Sequence, residues 1–329
     1  MIPFLPLIFQ LLGIGIILLL IIGLLSPFES LGWWAGWFGP SREQDRSETS
    51  AQVQPTRSFV TANVYLVYLS GVGAISGDML SEGEIGLLDK LSASLPDTVI
   101  VKDVFPYAMK NNGLTGQRFF SALWRWLERR SLSGKAALTN ILACARNVFQ
   151  VAVSADRRYG PIYNYGVAEV ASSKLLHMGY RVGSGKPVIL VGFSGGGQVS
   201  LGISEYLKNM LDAPLFVISI GGVMSDDPGI ANVEHIYHLY GTKDPVQQIG
   251  AICYAGRWPL LPYSPWNQAK AAGKISMIST GPMTHMDPHS YFDGASYLGN
   301  GQSYQAHLAE VIAGLVRAQS APRRMPTLQ

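Results

Sequence analysis

The sequence predicts an α/β protein, with a mostly parallel sheet of about six strands, helices on both faces and one transmembrane helix ahead of the domain. Short β-branched and aromatic runs alternate with longer segments of helical periodicity, a pattern typical of βαβ units. The apolar run that begins at Pro187 ends in Gly192-Phe193-Ser194-Gly195-Gly196-Gly197 and passes directly into a helical segment. The stretch Met1–Leu25 has no charged residue, and about 20 apolar residues suffice to cross a bilayer.

Residues 1–38 are predicted to be a membrane anchor with an interfacial aromatic segment. Trp33, Trp34 and Trp37 follow the apolar stretch, where an aromatic belt would lie. A cleaved signal peptide is the alternative. It is disfavoured because no Lys or Arg precedes the apolar core, the core is long and no Ala-x-Ala site follows closely. Residues 1–25 are therefore expected to contact a lipid bilayer as a single-pass N-terminal anchor.

Residues 39–60 are predicted to be a polar tether between this anchor and the globular domain. They are rich in Ser, Thr, Gln and Pro with mixed charges, as flexible linkers are. Arg42 and Arg46 follow the apolar stretch and no basic residue precedes it, which favours a cytoplasmic domain. Glu43 and Asp45 lie among these arginines, so the side of the membrane stays open.

Composition limits the partners that the chain can have. The formal net charge is +3 and no long run of Lys or Arg stands out, so the sequence carries no sign of a nucleic-acid partner. Cys144 and Cys253 lack metal-ligand spacing. They could pair in an oxidising compartment, but two buried free thiols are the favoured interpretation. No cofactor or metal site is predicted, and the oligomeric state is not specified.

The globular domain is predicted over residues 61–318, with a tail at 319–329 and inserts at 106–165 and 245–274. Its strands are short apolar runs, and its helices are longer segments of 3.6-residue periodicity. The other predicted strands are Val64–Leu69, Thr98–Phe105, Leu215–Ile220, His235–Tyr240 and Ile275–Ser279. The predicted helical segments are Ser81–Leu91, Phe119–Arg130, Ala136–Val153, Val167–Met178, Val199–Leu211 and Tyr304–Val316.

The glycine-rich turn after the apolar run that begins at Pro187 reads Gly192-Phe193-Ser194-Gly195-Gly196. A serine at the apex of a sharp strand–turn–helix needs small flanking residues, because the strand and the returning helix pass close together. Its hydroxyl would lie beyond the strand end, beside the positive N-terminus of the helix. A structural Gly-Ser loop is the alternative interpretation of this segment.

Two later strands end in loops that carry a potential acid and a potential base. The strand His235–Tyr240 is followed by Gly-Thr-Lys-Asp244, and Ile275–Ser279 by Thr-Gly-Pro-Met-Thr-His285. A serine nucleophile needs a base to take its proton, and the base needs an acid that orients it. Ser, Asp and His follow one another here in that order, each after a strand.

These three motifs together resemble the α/β-hydrolase superfamily over roughly residues 61–316. The resemblance implies that Ser194 is the nucleophile, His285 the general base and Asp244 the orienting acid. It also implies an oxyanion hole from the N–H of Gly195 and an N–H of the loop after the first strand, for which we favour Val72. Ser70-Gly71 stands where the family often has His-Gly. The sheet is expected to be trimmed at its N-terminal side.

Competing residues exist for each role. Asp226 and Asp227 follow the previous strand and are rival acids, and His289 is a rival base. The loop from Gly71 to Gly77 resembles a dinucleotide loop, but its spacing is one residue too long. His235 and His238 fall within a strand pattern and are expected to be structural.

The resemblance implies acyl transfer to water. A membrane-anchored hydrolase that cleaves an ester or thioester of a lipophilic acyl substrate is the favoured function. Trp258, Leu261 and Tyr263, in the second insert, are predicted to bind that substrate, because solvated loops are usually more polar. A non-catalytic binding protein of the same fold, and a peptidase or amidase, are the alternatives.

Overall fold

A computed structural model of the protein describes residues 62–77, 80–109 and 136–320, together with the single residue Ile17. The predicted anchor and tether lie outside these ranges, as do the segment Phe119–Arg130 and the chain beyond Ser320. Among the helices that are described, none combines the length and the apolar character that crossing a bilayer requires.

The described chain contains one six-stranded sheet in which every neighbouring pair of strands is parallel, so the predicted α/β class and strand number are confirmed. Its order is β2-β1-β3-β4-β5-β6. Four strands have the bounds that the sequence predicts. The strands are β1 Val64–Leu69, β2 Thr98–Val104, β3 Val188–Phe193, β4 Leu215–Ile220, β5 His235–Tyr240 and β6 Ile275–Ser279.

Helices cover both faces of the sheet. On one face, α1 and α7 share a core cluster with the even-numbered side chains of β1, such as Leu66. On the other face, α3, α4 and α6 share a cluster with odd-numbered side chains of β1, such as Val67. This alternation follows from the two-residue period of a strand. The helices are α1 Glu82–Ser94, α2 Ala136–Ala155, α3 Gly160–His177, α4 Gly195–Leu211, α5 Ile249–Cys253, α6 Pro265–Ala271 and α7 Tyr304–Ser320.

Local sequence explains where several helices begin. Ser81 caps α1 through a reciprocal capping box with Glu84, which satisfies N–H groups that the helix leaves free. Helix α3 begins at Gly160, earlier than the predicted Val167, with a proline in its first turn. Helix α4 begins at Gly195 rather than at the predicted Val199, because the chain turns into the helix immediately after the apex serine.

The strand order places a crevice at the carboxyl end of the sheet. From β1 the chain moves to β2 on one side, and β3 then pairs with the other side of β1. Loops that follow β1 and β3 therefore diverge at the point where the strand order reverses, which is where open parallel sheets bind ligands. The turn at Ser194 and the loop at Val72 both lie at this edge.

The two cysteines are free in the described structure. Cys144 is half-buried, and burial raises the pKa of its thiol. Cys253 is exposed, so the expectation of two buried thiols is wrong for this residue. Cys253 lies in the short helix α5, of whose five residues Gly250 alone is buried, so the rest of this helix faces solvent.

Candidate active site

Ser194 occupies a strained turn between β3 and α4. Its φ of 52° and ψ of −120° lie in a backbone region that residues other than glycine rarely adopt. The backbone is held in this conformation by β4 and the loop after it: Ser194 N–H donates to Ile220 O at 3.0 Å, and Val223 N–H donates to Ser194 O at 3.1 Å. The turn is thus fixed by the neighbouring strand rather than by its own sequence alone.

The flanking glycines are required by close approach of backbone. A Cβ on Gly192 would lie 2.4 Å from Gly196 O, and one on Gly196 would lie 2.4 Å from Leu69 O. No real Cβ is found so close to a carbonyl oxygen, so any side chain here would push α4 away from β3 and β1. The glycines predicted to flank the apex are therefore explained by packing.

Ser194, His285 and Asp244 form a continuous hydrogen-bonded chain. Ser194 Oγ lies 2.8 Å from His285 Nε2, and His285 Nδ1 lies 2.8 Å from Asp244 Oδ2. All three side chains are shielded from solvent: Ser194 is buried, His285 is 10% exposed and Asp244 is 0% exposed at the side chain. The structure thus brings together the three residues that the sequence indicates, from loops after β3, β5 and β6.

Asp244 is surrounded by donors. Its Oδ2 also accepts from the Tyr291 hydroxyl at 2.7 Å, and its Oδ1 accepts from Val246 N–H at 2.8 Å. Burial by itself raises the pKa of this carboxyl, but the hydrogen bonds from His285 and Tyr291 lower it further, so the net shift is downward. Asp244 is consequently a carboxylate at neutral pH, and an acceptor-only group there places the proton of the imidazole on Nδ1.

Aromatic rings fix the orientation of the histidine. Phe193 stacks on His285 with ring centroids 5.0 Å apart, and Phe292 packs edge-on against Phe193 at 4.7 Å. Tyr291 meets the His285 ring nearly at a right angle, at 6.4 Å. These aromatic partners were not identified from the sequence. The only signal available was that Tyr291 and Phe292 follow His285 within the same loop.

The loop after β1 lies against the first residue of α4. A Cβ on Gly195 would lie 2.7 Å from Val72 Cγ1, and Asn147 of α2 holds the loop by donating to Val72 O and Ala74 O, each at 2.8 Å. The N–H of Gly195 has no acceptor within its own helix, because it opens the helix. Within the described ranges no hydrogen bond from Val72 N–H is seen. Neither N–H group therefore has an acceptor among the described residues, as is expected of donors that bind an oxyanion.

The rival acids have other partners. Asp226 forms an ion pair with Arg157 at 3.1 Å. Asp227 accepts from Gln198 Nε2 at 2.9 Å and from Gly229 N–H at 2.8 Å, and burial raises its pKa to about 6. Neither carboxylate is seen in contact with His285, so the geometry favours Asp244 for the acid.

The other histidines are also engaged elsewhere. His289 Nδ1 lies 2.6 Å from Ser296 Oγ, at an exposed position with a φ of 70°. His235 bonds Ser276, and His238 bonds Ser219 and Gln247. These contacts agree with the structural role expected for His235 and His238.

The dinucleotide-loop interpretation has little support in the geometry. The loop from Gly71 to Gly77 does not open a helix, since α1 begins at Glu82. Asp103, the residue that would bind a ribose, is paired with Lys174. Among the described residues, no group of three or more His, Cys, Asp and Glu side chains is arranged to hold a metal ion.

Trp258, Leu261 and Tyr263 lie on the exposed part of the insert between Asp244 and β6. The contacts described for them are within that insert, such as Trp258 Nε1 donating to Ala251 O at 3.0 Å. Their predicted contact with substrate therefore stays a prediction.

No protein-family model matches this chain, and no curated protein matches it either. The assignment of a function consequently depends on the geometry of the site.

Proposed function

We propose that this chain is a serine hydrolase of the α/β-hydrolase type, which cleaves a carboxylic ester or thioester through an acyl-enzyme. The observation that carries the proposal is the chain of two 2.8 Å contacts from Ser194 Oγ through His285 to Asp244. Further support comes from the strand positions: the serine follows the third strand, the acid the fifth and the histidine the sixth. That arrangement is the one the resemblance implies.

The first half-reaction uses the proton positions deduced above. His285 Nε2 carries no proton in the neutral ring, so it accepts the Ser194 hydroxyl proton as Oγ attacks the carbonyl carbon. The oxyanion that forms would accept from the N–H groups of Gly195 and Val72. His285 then donates its proton to the leaving alcohol or thiol, and the acyl group stays on Ser194.

The second half-reaction repeats these steps with water. His285 takes a proton from the water that attacks the acyl-enzyme, and returns it to Ser194 Oγ as the acid product leaves. The Asp244 carboxylate stabilises the imidazolium in both halves. The steps as proposed use only side chains, backbone N–H groups and water.

A fluorophosphonate probe tests this proposal directly. The probe should label Ser194 in the wild-type protein, and Ser194→Ala should abolish the labelling. Ser204→Ala is the matched control: this buried serine lies in α4 and donates to Ser200 O, away from the histidine. Folded wild-type protein that takes up no probe would instead favour a non-catalytic binding protein of the same fold.

The lipophilic acyl substrate is supported by the exposed apolar insert beside the site and by the apolar stretch Met1–Leu25. A series of p-nitrophenyl esters tests it. Each methylene buried in an acyl pocket contributes about 0.8 kcal/mol, so kcat/KM should rise about fourfold per methylene until the pocket is filled. A series that falls from acetyl onward would contradict the lipophilic substrate, and faster turnover of matched anilides would favour an amidase.

We also propose that residues 1–25 anchor the chain in a membrane. The support is the length of the uncharged stretch and the aromatic segment that follows it. Full-length protein should stay in the membrane pellet after alkaline carbonate extraction. Its release into the supernatant would exclude a spanning anchor.

A further inference from the structure

The insert between Asp244 and β6 exposes an unusual cluster of large apolar side chains. Leu260 is 84% exposed, Tyr263 87% and Ile252 65%. Single exposed apolar residues are common, whereas contiguous ones mark a surface that meets a partner. We call this cluster the apolar insert face, which consists of Ile249, Ile252, Trp258, Leu260, Leu261 and Tyr263.

These side chains project from a fixed loop. The Asn267 side-chain amide donates to Trp258 O at 2.7 Å and to Leu261 O at 2.9 Å, so it ties both ends of the exposed turn to α6. Trp258 Nε1 joins the turn to α5 through Ala251 O at 3.0 Å. The exposed residues therefore belong to one folded unit.

The loop also satisfies its own backbone. Pro259 and Pro262 have no N–H, while the N–H groups of Trp258, Leu261 and Ser264 donate to carbonyl groups three residues earlier, at 2.9 to 3.1 Å. Backbone groups that enter a region poor in water need partners within the protein. The turn can therefore leave water without losing many hydrogen bonds.

Charge and residue type point to one kind of partner. Residues 245–274 contain no Asp or Glu, so the face has no acidic residue of its own to oppose a lipid surface. The Arg257 guanidinium lies over the Trp266 ring at 3.8 Å and donates to Met224 O, so this charge is engaged within the protein. Asp226, whose carboxylate approaches Gly256, is already paired with Arg157. Trp and Tyr side chains favour the headgroup region of a bilayer.

The insert face lies at the same edge of the sheet as the candidate site. Helix α5 begins five residues after Asp244 in the sequence, and Met286, beside His285, is itself 73% exposed. The apolar stretch Met1–Leu25, joined to the domain through the segment 39–60, could hold this edge near a bilayer. We propose that the apolar insert face docks on the surface of a lipid bilayer.

A fluorescent probe on Cys253 tests the docking in the full-length protein. Cys253 is exposed in α5, and Cys144→Ser leaves it as the single thiol. The labelled protein is reconstituted in vesicles of phosphatidylcholine and phosphatidylglycerol with brominated acyl chains. An environment-sensitive probe at this position should shift to shorter wavelength and lose most of its emission to bromine quenching.

The matched control carries the probe on Ser92→Cys in a protein without the native thiols. Ser92 is exposed in the last turn of α1, at the opposite edge of the sheet. This probe should be neither shifted nor quenched. Equal quenching at the two positions, or none at Cys253, would refute lipid docking, and a shift that depends on protein concentration alone would assign the face to a second copy of the chain.

A double substitution, Leu260→Ser with Tyr263→Ser, tests whether the face itself makes the contact. Both side chains are exposed, so the melting temperature should change little. Quenching at Cys253 should be lost, and undiminished quenching would overturn the proposal. The measurement needs no substrate and can be repeated in Ser194→Ala, so its outcome is independent of the proposed catalysis.

Discussion

Asp244→Asn is the substitution whose effect the structure defines most closely. Both carboxylate oxygens accept hydrogen bonds: Oδ2 from His285 and Tyr291, and Oδ1 from the N–H groups of Val246 and Gln247. An amide offers only one acceptor atom. Backbone N–H groups cannot change role, whereas a tyrosine hydroxyl can rotate and an imidazole can change tautomer. The amide oxygen must therefore take the Oδ1 position, and the NH₂ group must face His285.

In this orientation of the amide, His285 could not accept the serine proton. An NH₂ group that donates to Nδ1 moves the imidazole proton to Nε2, where it points at Ser194 Oγ and cannot accept the serine proton. Loss of the correct tautomer in a serine triad costs on the order of 10⁴ in kcat. At 1.36 kcal/mol per decade this is about 5 kcal/mol of transition-state stabilisation. The Michaelis constant should change little, because substrate contacts are unaffected.

The assay is steady-state hydrolysis of a p-nitrophenyl ester, with thermal unfolding to show that the variant is folded. Asp226→Asn is the control, because its carboxylate pairs with Arg157 and should not affect the rate. A near-normal kcat in folded Asp244→Asn would refute the reasoning. Loss of activity in Asp226→Asn or Asp227→Asn instead would move the acid role to that residue.

Three further substitutions test the surroundings of the site. Tyr291→Phe removes a donor to Asp244, which should lower the unfolding free energy by about 1.5–3 kcal/mol in a urea titration. An unchanged free energy would show that this hydrogen bond contributes no stability. Gly192→Ala places a Cβ 2.4 Å from a carbonyl oxygen and should lower the unfolding free energy, measured by urea titration, by about 3 kcal/mol or more. Gly314→Ala, in open space on α7, should leave the unfolding free energy unchanged or raise it. Equal effects of the two substitutions would contradict the close-approach argument. Burial lowers the pKa of His238 to about 4, below its value in the unfolded chain, so the stability that the neutral histidine provides is present above about pH 6.5 and is lost, by up to about 3 kcal/mol, as the pH falls towards 4. His238→Phe lacks this titration, so its unfolding free energy should approach that of the wild type at low pH. A difference that stays constant with pH would argue against a buried neutral histidine.

The strands and the three central site residues could be read from local sequence. β4, for example, is a continuous apolar run whose six residues are all buried, and such runs need little tertiary information to be recognised. Ser194, Asp244 and His285 could be predicted from the sequence for a related reason. In a parallel sheet the loops after successive strands meet at one edge, so polar residues that follow strands become candidates for one site.

The hydrogen bonds that hold the loops around the site could not be predicted in this way. Asn147 holds the Val72 loop from 75 residues away, and Asn267 holds the exposed turn of the insert. Neither amide stands in a recognisable motif, because each bonds backbone carbonyl groups, which every residue has. Prediction of the insert 245–274 is limited in the same way. Its apolar composition indicated a role near the site, but the fold of the insert decides which side chains project into solvent.

The sequence by itself determined the α/β class, most of the strand bounds and the positions of Ser194, Asp244 and His285 after strands, because these depend on runs and turns of a few residues. The tertiary structure decided that Ser194 Oγ and His285 Nε2, 91 residues apart in the chain, lie 2.8 Å from each other, and that Tyr291 shares the Asp244 carboxylate with His285. It also separated Asp244 from Asp226 and Asp227, which composition and spacing left as rivals. The physical reason is that strand register and helix packing set such distances, and both depend on contacts between segments that are remote in the chain.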